Sequence, residues 1–478
     1  MWKIPQSTEL ISDAEYQSLE FFQAQTSHCF GSDIGMFLLQ ATYHEPIIRT
    51  IAVAIGSLHR SFVFGSAGKS KIDEDSLFTL FHYNKAIRQL VAVQPHSPKT
   101  SDTYLIACIL FFCFECLQGN YKSAFQHATS GLKIIQQQTR FARSTTPLYI
   151  PPEAITQVFA ILENQILEIY GGPAEALTYA LPRSRRSMPL SISDISRPLT
   201  AQEILIAFQW LYYRFTRFGA VCDFLLEPLQ GQAFEFLAKA QSIKAEYAEI
   251  RQDLTIWMAI FEEWLEKTPP ENENRDIKIL KIWNILFNLL LQLSLPDPQL
   301  SWDKHVDKYA TITSLATEIL NIPSTFTQSF SLGVRSQYVL PSVASNKSTN
   351  PPLRPKHSKS VSPTFSLSLG IVTPLYVVST QCRVASIRHH ALAMLSVCQR
   401  REGLWDSTMA TQVVRRYISI EENAANIIAG TDYQPADIKL QARIRCLALE
   451  FEDNGIIGVK YHLYKDPVNG VIEEKFFY

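Results

Sequence analysis

Cys113-Phe114-Glu115-Cys116 has the spacing of half a zinc site or of a dithiol redox pair. A structural zinc centre takes four ligands, and no second Cys-x-x-Cys or histidine pair accompanies this one. The pair also lies inside the most apolar stretch of the chain, Tyr104–Leu117, where a thiol behaves as a small hydrophobe. Cys113 and Cys116 are therefore read as packing residues rather than metal or redox ligands. Gly65-Ser66-Ala67-Gly68-Lys69-Ser70 resembles the end of a phosphate loop, but the first glycine of such a loop would fall where Val63 stands. The residues before it read as helix, not strand, so 65–76 is read as a flexible polar loop. His389 and His390 are neighbours on a helical pattern and do not share a face. No His-Glu-x-x-His, Gly-x-Ser-x-Gly or partnered acidic dyad is present. The sequence thus assigns no catalytic, cofactor-binding, metal-binding or DNA-binding residue, and no cofactor.

Two short basic runs, Arg183-Ser184-Arg185-Arg186 and Arg354–Lys359, have the composition of a nuclear import signal or a phosphate contact. Both are read as solvated loops. Arg400-Arg401-Glu402-Gly403 stands among helical patterns instead. There Gly403 suits a helix C-cap, and Arg400 and Arg401 in the last turn would oppose the negative helix end. Leu404 and Trp405 then anchor the next helix, with Asp406 or Ser407 as its cap. Trp405 is expected to wedge between helices at 373–399 and 405–427 as a packing anchor, not as a ligand contact.

The elements that would position these residues are helical. The chain has 478 residues, 46% hydrophobic and 19% charged, with only 18 glycines, so it can bury a large core. Net charge is −1, which offers no global attraction for a polyanion. Eight dispersed cysteines read as reduced thiols of a cytosolic or nuclear protein. Acidic Glu9, Asp13 and Glu15 interrupt any N-terminal signal peptide. The longest uncharged apolar run, Tyr104–Phe114, is short of the ~20 residues that cross a bilayer, so no membrane span is expected.

Residues 1–18 read as a polar arm. Helices follow at 76–94, 104–117, 121–138, 152–170, 201–226, 231–267, 275–293, 304–320, 373–399, 405–427 and 435–450. Gly119-Asn120 turns the second of these back as an αα-hairpin, and 341–366 reads as a disordered loop rich in proline, serine and lysine. Residues 458–478 change to period two around Asp466-Pro467-Val468-Asn469-Gly470, the signature of a β-hairpin. The fold class is all-α: a large multi-helix bundle of stacked antiparallel helix pairs with a short C-terminal β-hairpin.

Several stretches, in this order, resemble the helical regulatory domain of fungal zinc binuclear-cluster (six-cysteine) transcription factors. They are His44-Glu45-Pro46 with 51–59, then Tyr104–Gln138 with Tyr121, Ala124, His127, Gly131 and Leu132, then Thr373–Ser407. The resemblance spans about 22–478 with a poorly matched middle, and implies one helical regulatory domain over 19–478. Two departures stand out. The family's Cys-Arg-Asp-Pro reads Cys382-Arg383-Val384-Ala385 here, which leaves Ser386 to cap a helix or lets the helix run through. The six-cysteine motif is absent.

The resemblance implies a nuclear transcription regulator, acting without its own zinc cluster and controlling a fungal metabolic gene cluster. It also implies a protein partner or homodimer, a small-molecule effector, no sequence-specific DNA contact by this chain, and no enzymatic activity. A helical small-molecule-binding protein or enzyme, or a non-catalytic interaction scaffold, is the alternative.

The missing four-ligand set gives a direct expectation: elemental analysis of the purified chain finds no stoichiometric zinc. One or more tightly held zinc ions per chain would reverse the packing reading of Cys113 and Cys116.

Overall fold

The computed structural model of the chain describes residues 12–65, 72–92, 98–140, 150–170, 197–226, 233–269, 274–292, 298–322, 363–428, 430–452, 455–465 and 470–477. It is predominantly helical, with two small three-stranded sheets among the described residues. The N-terminal part carries α1 (Asp13–Phe21), α2 (Ser32–His44), α3 (Pro46–Phe64), α4 (Ile72–Ala92), α5 (Pro98–Gln118), α6 (Tyr121–Arg140) and α7 (Pro152–Tyr170). Then come α8 (Ala201–Leu226), α9 (Ala233–Lys267), α10 (Arg275–Leu291) and α11 (Val306–Ile319). The C-terminal part holds β1 (Thr364–Ser366), α12 (Val372–Gln381), α13 (Ala385–Val397), β2 (Arg400–Glu402), β3 (Trp405–Asp406) and α14 (Ser407–Ala424). Strands β4 (Ile444–Phe451), β5 (Ile456–Leu463) and β6 (Val471–Phe477) end it as an antiparallel sheet.

α5 is apolar on all sides, and a helix of that kind must be surrounded. It packs against α3 and α6, with Ile106, Ile109, Leu110 and Phe112 fully buried. Gly119 turns the chain, and α6 returns with Tyr121, Ala124, Ala128, Leu132 and Ile135 buried along one stripe. α3 is long and apolar enough by composition to cross a bilayer. Here it packs among α1, α4 and α5 with Ile48, Ile51 and Ile55 fully buried.

Several expected boundaries are corrected. The polar arm is helical from Asp13, because Ser12 and Glu15 form a reciprocal capping box that satisfies the first backbone donors. The loop at 65–76 gives way to α4 at Ile72, and residues 66–71 lie outside those described. Most of the 341–366 loop is also outside them, but Thr364–Ser366 is a strand. The single helix expected over 373–399 is two. Cys382 and Val384 are extended, and Val384 occupies the cap position of α13 with no side-chain cap bond, so Ser386 does not cap.

The expected helix over 435–450 is instead a pair of short turns followed by β4. Ile444, Leu449 and Phe451 are buried, and the register with β5 supplies the backbone partners that decide strand over helix. The C-terminal hairpin is accordingly two strands of a three-stranded sheet. Its turn at 466–469 lies outside the described residues, as do Arg183–Arg186 and Arg354–Lys359.

The break at Arg383 has a physical cause. Arg383 and Arg388 both turn inward onto Glu421 of α14, with N···O distances of 2.9 and 2.6 Å, and all three side chains are fully buried. Arg383 also donates to Gln299 at 2.7 Å, and Arg388 donates to the Ser379 carbonyl at 2.8 Å. Glu421 accepts the backbone N–H of Ile444 at 3.1 Å, which ties α14 to the start of β4. Burial by itself would raise the Glu421 carboxyl, but the two guanidiniums hold it below the usual carboxylate range.

Removing the charge of Glu421 leaves two buried guanidiniums uncompensated. Glu421→Gln is expected to lower unfolding free energy by about 3–5 kcal/mol in denaturant titration. A loss near zero would mean that the cluster does not hold the C-terminal elements together.

Candidate functional site

The segment 364–407 forms a frame. β2 pairs in parallel with β1, and β3 folds back antiparallel on β2 through a two-residue turn, Gly403-Leu404. Arg400 and Arg401 are therefore strand residues, not the last turn of a helix, and Gly403 is a hairpin turn, not a helix cap. The reason is long-range: the backbone of 400–402 finds its partner at 364–366, which no local pattern reveals. Gly403 has φ +63°, the left-handed region that favours glycine. A Cβ there would also come within 2.0 Å of Gln165 Oε1, which accepts the Leu404 N–H at 3.0 Å.

Each charged residue of the segment has a structural partner. Glu402 accepts the backbone N–H groups of Ile371 (3.1 Å) and Val372 (2.8 Å) and the Arg400 Nε (2.7 Å). It thereby sits at the positive N-terminal end of α12. Gly370 permits that approach, since a Cβ there would lie 1.9–2.1 Å from the Glu402 carboxylate. Arg401 pairs with Asp406 at 2.8 Å, donates to the Leu117 carbonyl, and lies over the Phe62 ring. Asp406, one of the two expected caps, accepts from Thr408 and Met409 and starts α14.

Beside this frame lies a cleft between α7 and α8. On α7, Gln157, Ile161, Asn164, Gln165 and Glu168 recur at helical spacing and line one wall. On α8, Gln202, Leu205, Ile206, Gln209 and Trp210 line the other. Glu163 braces the two helices, accepting from Tyr213 at 2.6 Å and pairing with Arg217. The outer chamber has a volume of about 600 Å³ and reaches Phe30 and, on α2, Ile34 and Phe37. The inner chamber is only about 30 Å³, the space of about one water, and ends against Trp283, Thr373, Glu402 and Trp405. Gln157, Ile161, Gln209, Trp210, Leu367 and Ser368 border both chambers, and Gln157 donates to Gln209 at 3.1 Å at this seam.

Trp405 is 5% exposed, and its ring packs against Tyr376 of α12 with centroids 5.1 Å apart. Its indole N–H donates to Glu168 at 2.6 Å, so it is both a buried contact of the frame and a wall of the inner chamber. Glu168 also accepts from Tyr212 and Thr373, and among the described residues no cation pairs with it. Burial pushes its carboxyl up to about 7 despite those three donors. Asn164, 7% exposed, lines the same chamber, and its Oδ1 has no hydrogen-bond partner.

The other sequence candidates lie elsewhere. Cys113 and Cys116 are fully buried within α5, and burial pushes both thiols well above their ordinary value. Among the described residues no three His, Cys, Asp or Glu side chains come together as a metal site. His389 meets Glu422 at 2.9 Å, which also accepts from Tyr433, while burial lowers the neighbouring His390. Sequence reasoning did not single out Asn164, Gln165, Glu168 or Gln209. The available signal was a polar stripe, Gln157, Asn164, Gln165 and Glu168, along one face of a largely apolar helix.

The raised carboxyl of Glu168 yields a pH test. Between its ordinary value of 4.5 and about 7, the unfolded chain releases this proton before the folded one does. Stability from this group therefore falls as pH rises through that window. Glu168→Gln keeps an acceptor for Trp405 but removes the titration. Relative to wild type, its unfolding free energy should improve between pH 5 and pH 8, by up to about 3 kcal/mol. A difference independent of pH would show that Glu168 titrates normally.

No protein-family model matches this chain, and no solved structure matches it. The chain is similar to the aspercryptin biosynthesis cluster-specific transcription regulator atnN of Emericella nidulans. The two are 29% identical over an alignment covering 91% of this chain and 78% of that protein. The similarity supports the resemblance to fungal transcription regulators and a role in regulating transcription.

Proposed function

We propose that this chain is a nuclear regulator of transcription that controls a fungal biosynthetic gene cluster through a helical regulatory domain over 19–478. The observation that carries the reading is the similarity to the atnN regulator along 91% of the chain. In this reading the chain supplies regulation, not sequence reading. Its net charge of −1 gives no electrostatic hold on DNA, and the six-cysteine motif is not in its sequence. It reaches its genes through a protein partner or a second copy, and antiparallel helix pairs stacked on one another form the surface it presents.

An all-helical body regulates by population shift: an effector or partner that binds one packing of the helices better than another changes which is occupied. The cleft between α7 and α8 favours a small molecule as one such effector. It touches α2, α7, α8, α10, α12, β2 and β3, so an occupant can bias their mutual packing. Glu168 accepts from the Trp405 indole, and the Tyr212 and Thr373 hydroxyls also donate to it.

The test is genetic and biochemical together. Deletion of the gene in its host should change transcripts of a contiguous biosynthetic cluster, with the tagged protein in nuclei. The purified chain should bind duplex DNA weakly and without sequence preference at physiological salt. Unchanged transcripts would sink the regulatory reading, and tight sequence-selective binding by the isolated chain would sink the partner-dependent mechanism.

A further inference from the structure

The cleft has a charge pattern that specifies its occupant more narrowly than size alone. Its lining includes four carboxylates: Glu168 and Glu402 inside, Asp33 and Glu153 at the outer rim. Among the described residues its lining includes no lysine or arginine. Glu402 is satisfied by Arg400 and the start of α12, but Glu168 meets only neutral donors. One helical turn before Glu168, on the same face of α7, the buried Asn164 carbonyl oxygen lacks any donor. An inner chamber lined by a carboxylate with no cation partner among the described residues, and by a carbonyl with no donor, favours an occupant that brings a positive charge and a hydrogen-bond donor. Trp405, Tyr212 and Trp283 line the same chamber, and aromatic faces favour a cation.

The space limits the cation to a small one. About 30 Å³ is the space of about one water, which suits a primary ammonium better than a bulkier quaternary one or a guanidinium. The outer chamber of about 600 Å³ lies in the range of small-molecule sites, and Ile34, Phe37, Val158, Ile161, Leu205 and Ile206 make its walls apolar.

We propose that the α7–α8 cleft is a binding site for an amphiphilic primary amine, its ammonium held by Glu168 and Asn164 and its apolar body in the outer chamber. The ammonium donates to the Glu168 carboxylate and the Asn164 Oδ1, and the Gln157–Gln209 bridge marks where head and body meet. The assignment deepens the effector role proposed above and rests on that reading for its biological use. Binding to the purified chain tests it with no transcriptional readout, so the two can fail separately.

The probe is n-octylamine, titrated calorimetrically into the full chain at pH 8, with n-octanoate, 1-octanol and octyltrimethylammonium as comparators. At that pH Glu168, lifted by burial to about 7, carries its charge. A primary alkylamine, like the lysine head near 10.4, keeps its proton. The expected result is saturable one-to-one binding of octylamine, at least tenfold tighter than each comparator. Glu168→Gln should weaken it tenfold or more with the far-ultraviolet circular dichroism unchanged. Ile206→Trp, which fills the outer chamber without touching the inner one, should also weaken it. Lack of saturable octylamine binding by the folded chain would overturn the proposal. So would equal binding of octanoate, octanol or the quaternary amine, or an unchanged affinity in folded Glu168→Gln.

Discussion

A single carboxylate, Glu421, organises the C-terminal half of the molecule. It lies with no solvent exposure between Arg383 and Arg388 and also receives the Ile444 N–H. Three ions brought out of water incur a large desolvation cost, so such a cluster persists only where the geometry supplies further hydrogen bonds. Here those bonds go to the Ser379 and Gln381 carbonyls and the Gln299 side chain, while the Tyr417 ring lies beside the Arg388 guanidinium. Arg443, fully buried at the start of the terminal sheet, extends the same network to the Gln299 carbonyl and to Asp303. The arrangement joins α12, α13, α14, β4 and the turn before α11, and moving any one of them would strip partners from a buried charge.

That constraint reaches the cleft through the 364–407 frame. The cluster sets the break between α12 and α13, and α13 leads directly into β2. Glu402 on β2 then binds the start of α12 from the other side, in contact with Gly370. The turn at Gly403-Leu404 rests on Gln165 of α7, and Trp405 reaches Glu168 one turn further on. The inner chamber is thus bounded by residues whose positions are fixed by hydrogen bonds on several sides, while the outer chamber is bounded mainly by apolar contacts between α2, α7 and α8. On the proposed regulatory reading, an occupant spanning both chambers couples the rigid frame to the helices facing it. That is the arrangement in which differential affinity for two packings becomes a signal.

The helical part of the fold was legible because its causes are local. The all-round apolarity of 104–117, the stripe from Tyr121 to Ile135 and the Gly119-Asn120 turn predict α5 and α6 nearly as they stand. A cap for α14 at Asp406 or Ser407 was legible before an amphipathic run, and the structure assigns it to Asp406. The period-two pattern near the C-terminus marked β5 and β6 for the same reason. The identification of the cleft had only a faint trace in the sequence, the polar stripe on α7. Its meaning depends on what faces it, and the facing residues come from α8, α10, α12 and β3, up to 237 positions away.

The sequence by itself determined that this is a large helical protein with an ordered segment around Arg400–Ser407, whereas its reading of the cysteines as buried fails at Cys446, which is exposed. Periodicity, capping and side-chain volume act between near neighbours, so these properties are written in consecutive residues. Only the tertiary structure decided that Arg400–Glu402 is a strand, that 444–451 is a strand and not a helix, and that Arg383 ends α12. It also decided that Trp405 meets Glu168. Strand pairing, burial of a charge and closure of a cavity each require a partner delivered from elsewhere in the chain. Until the chain has folded, the same residues satisfy a helical pattern equally well.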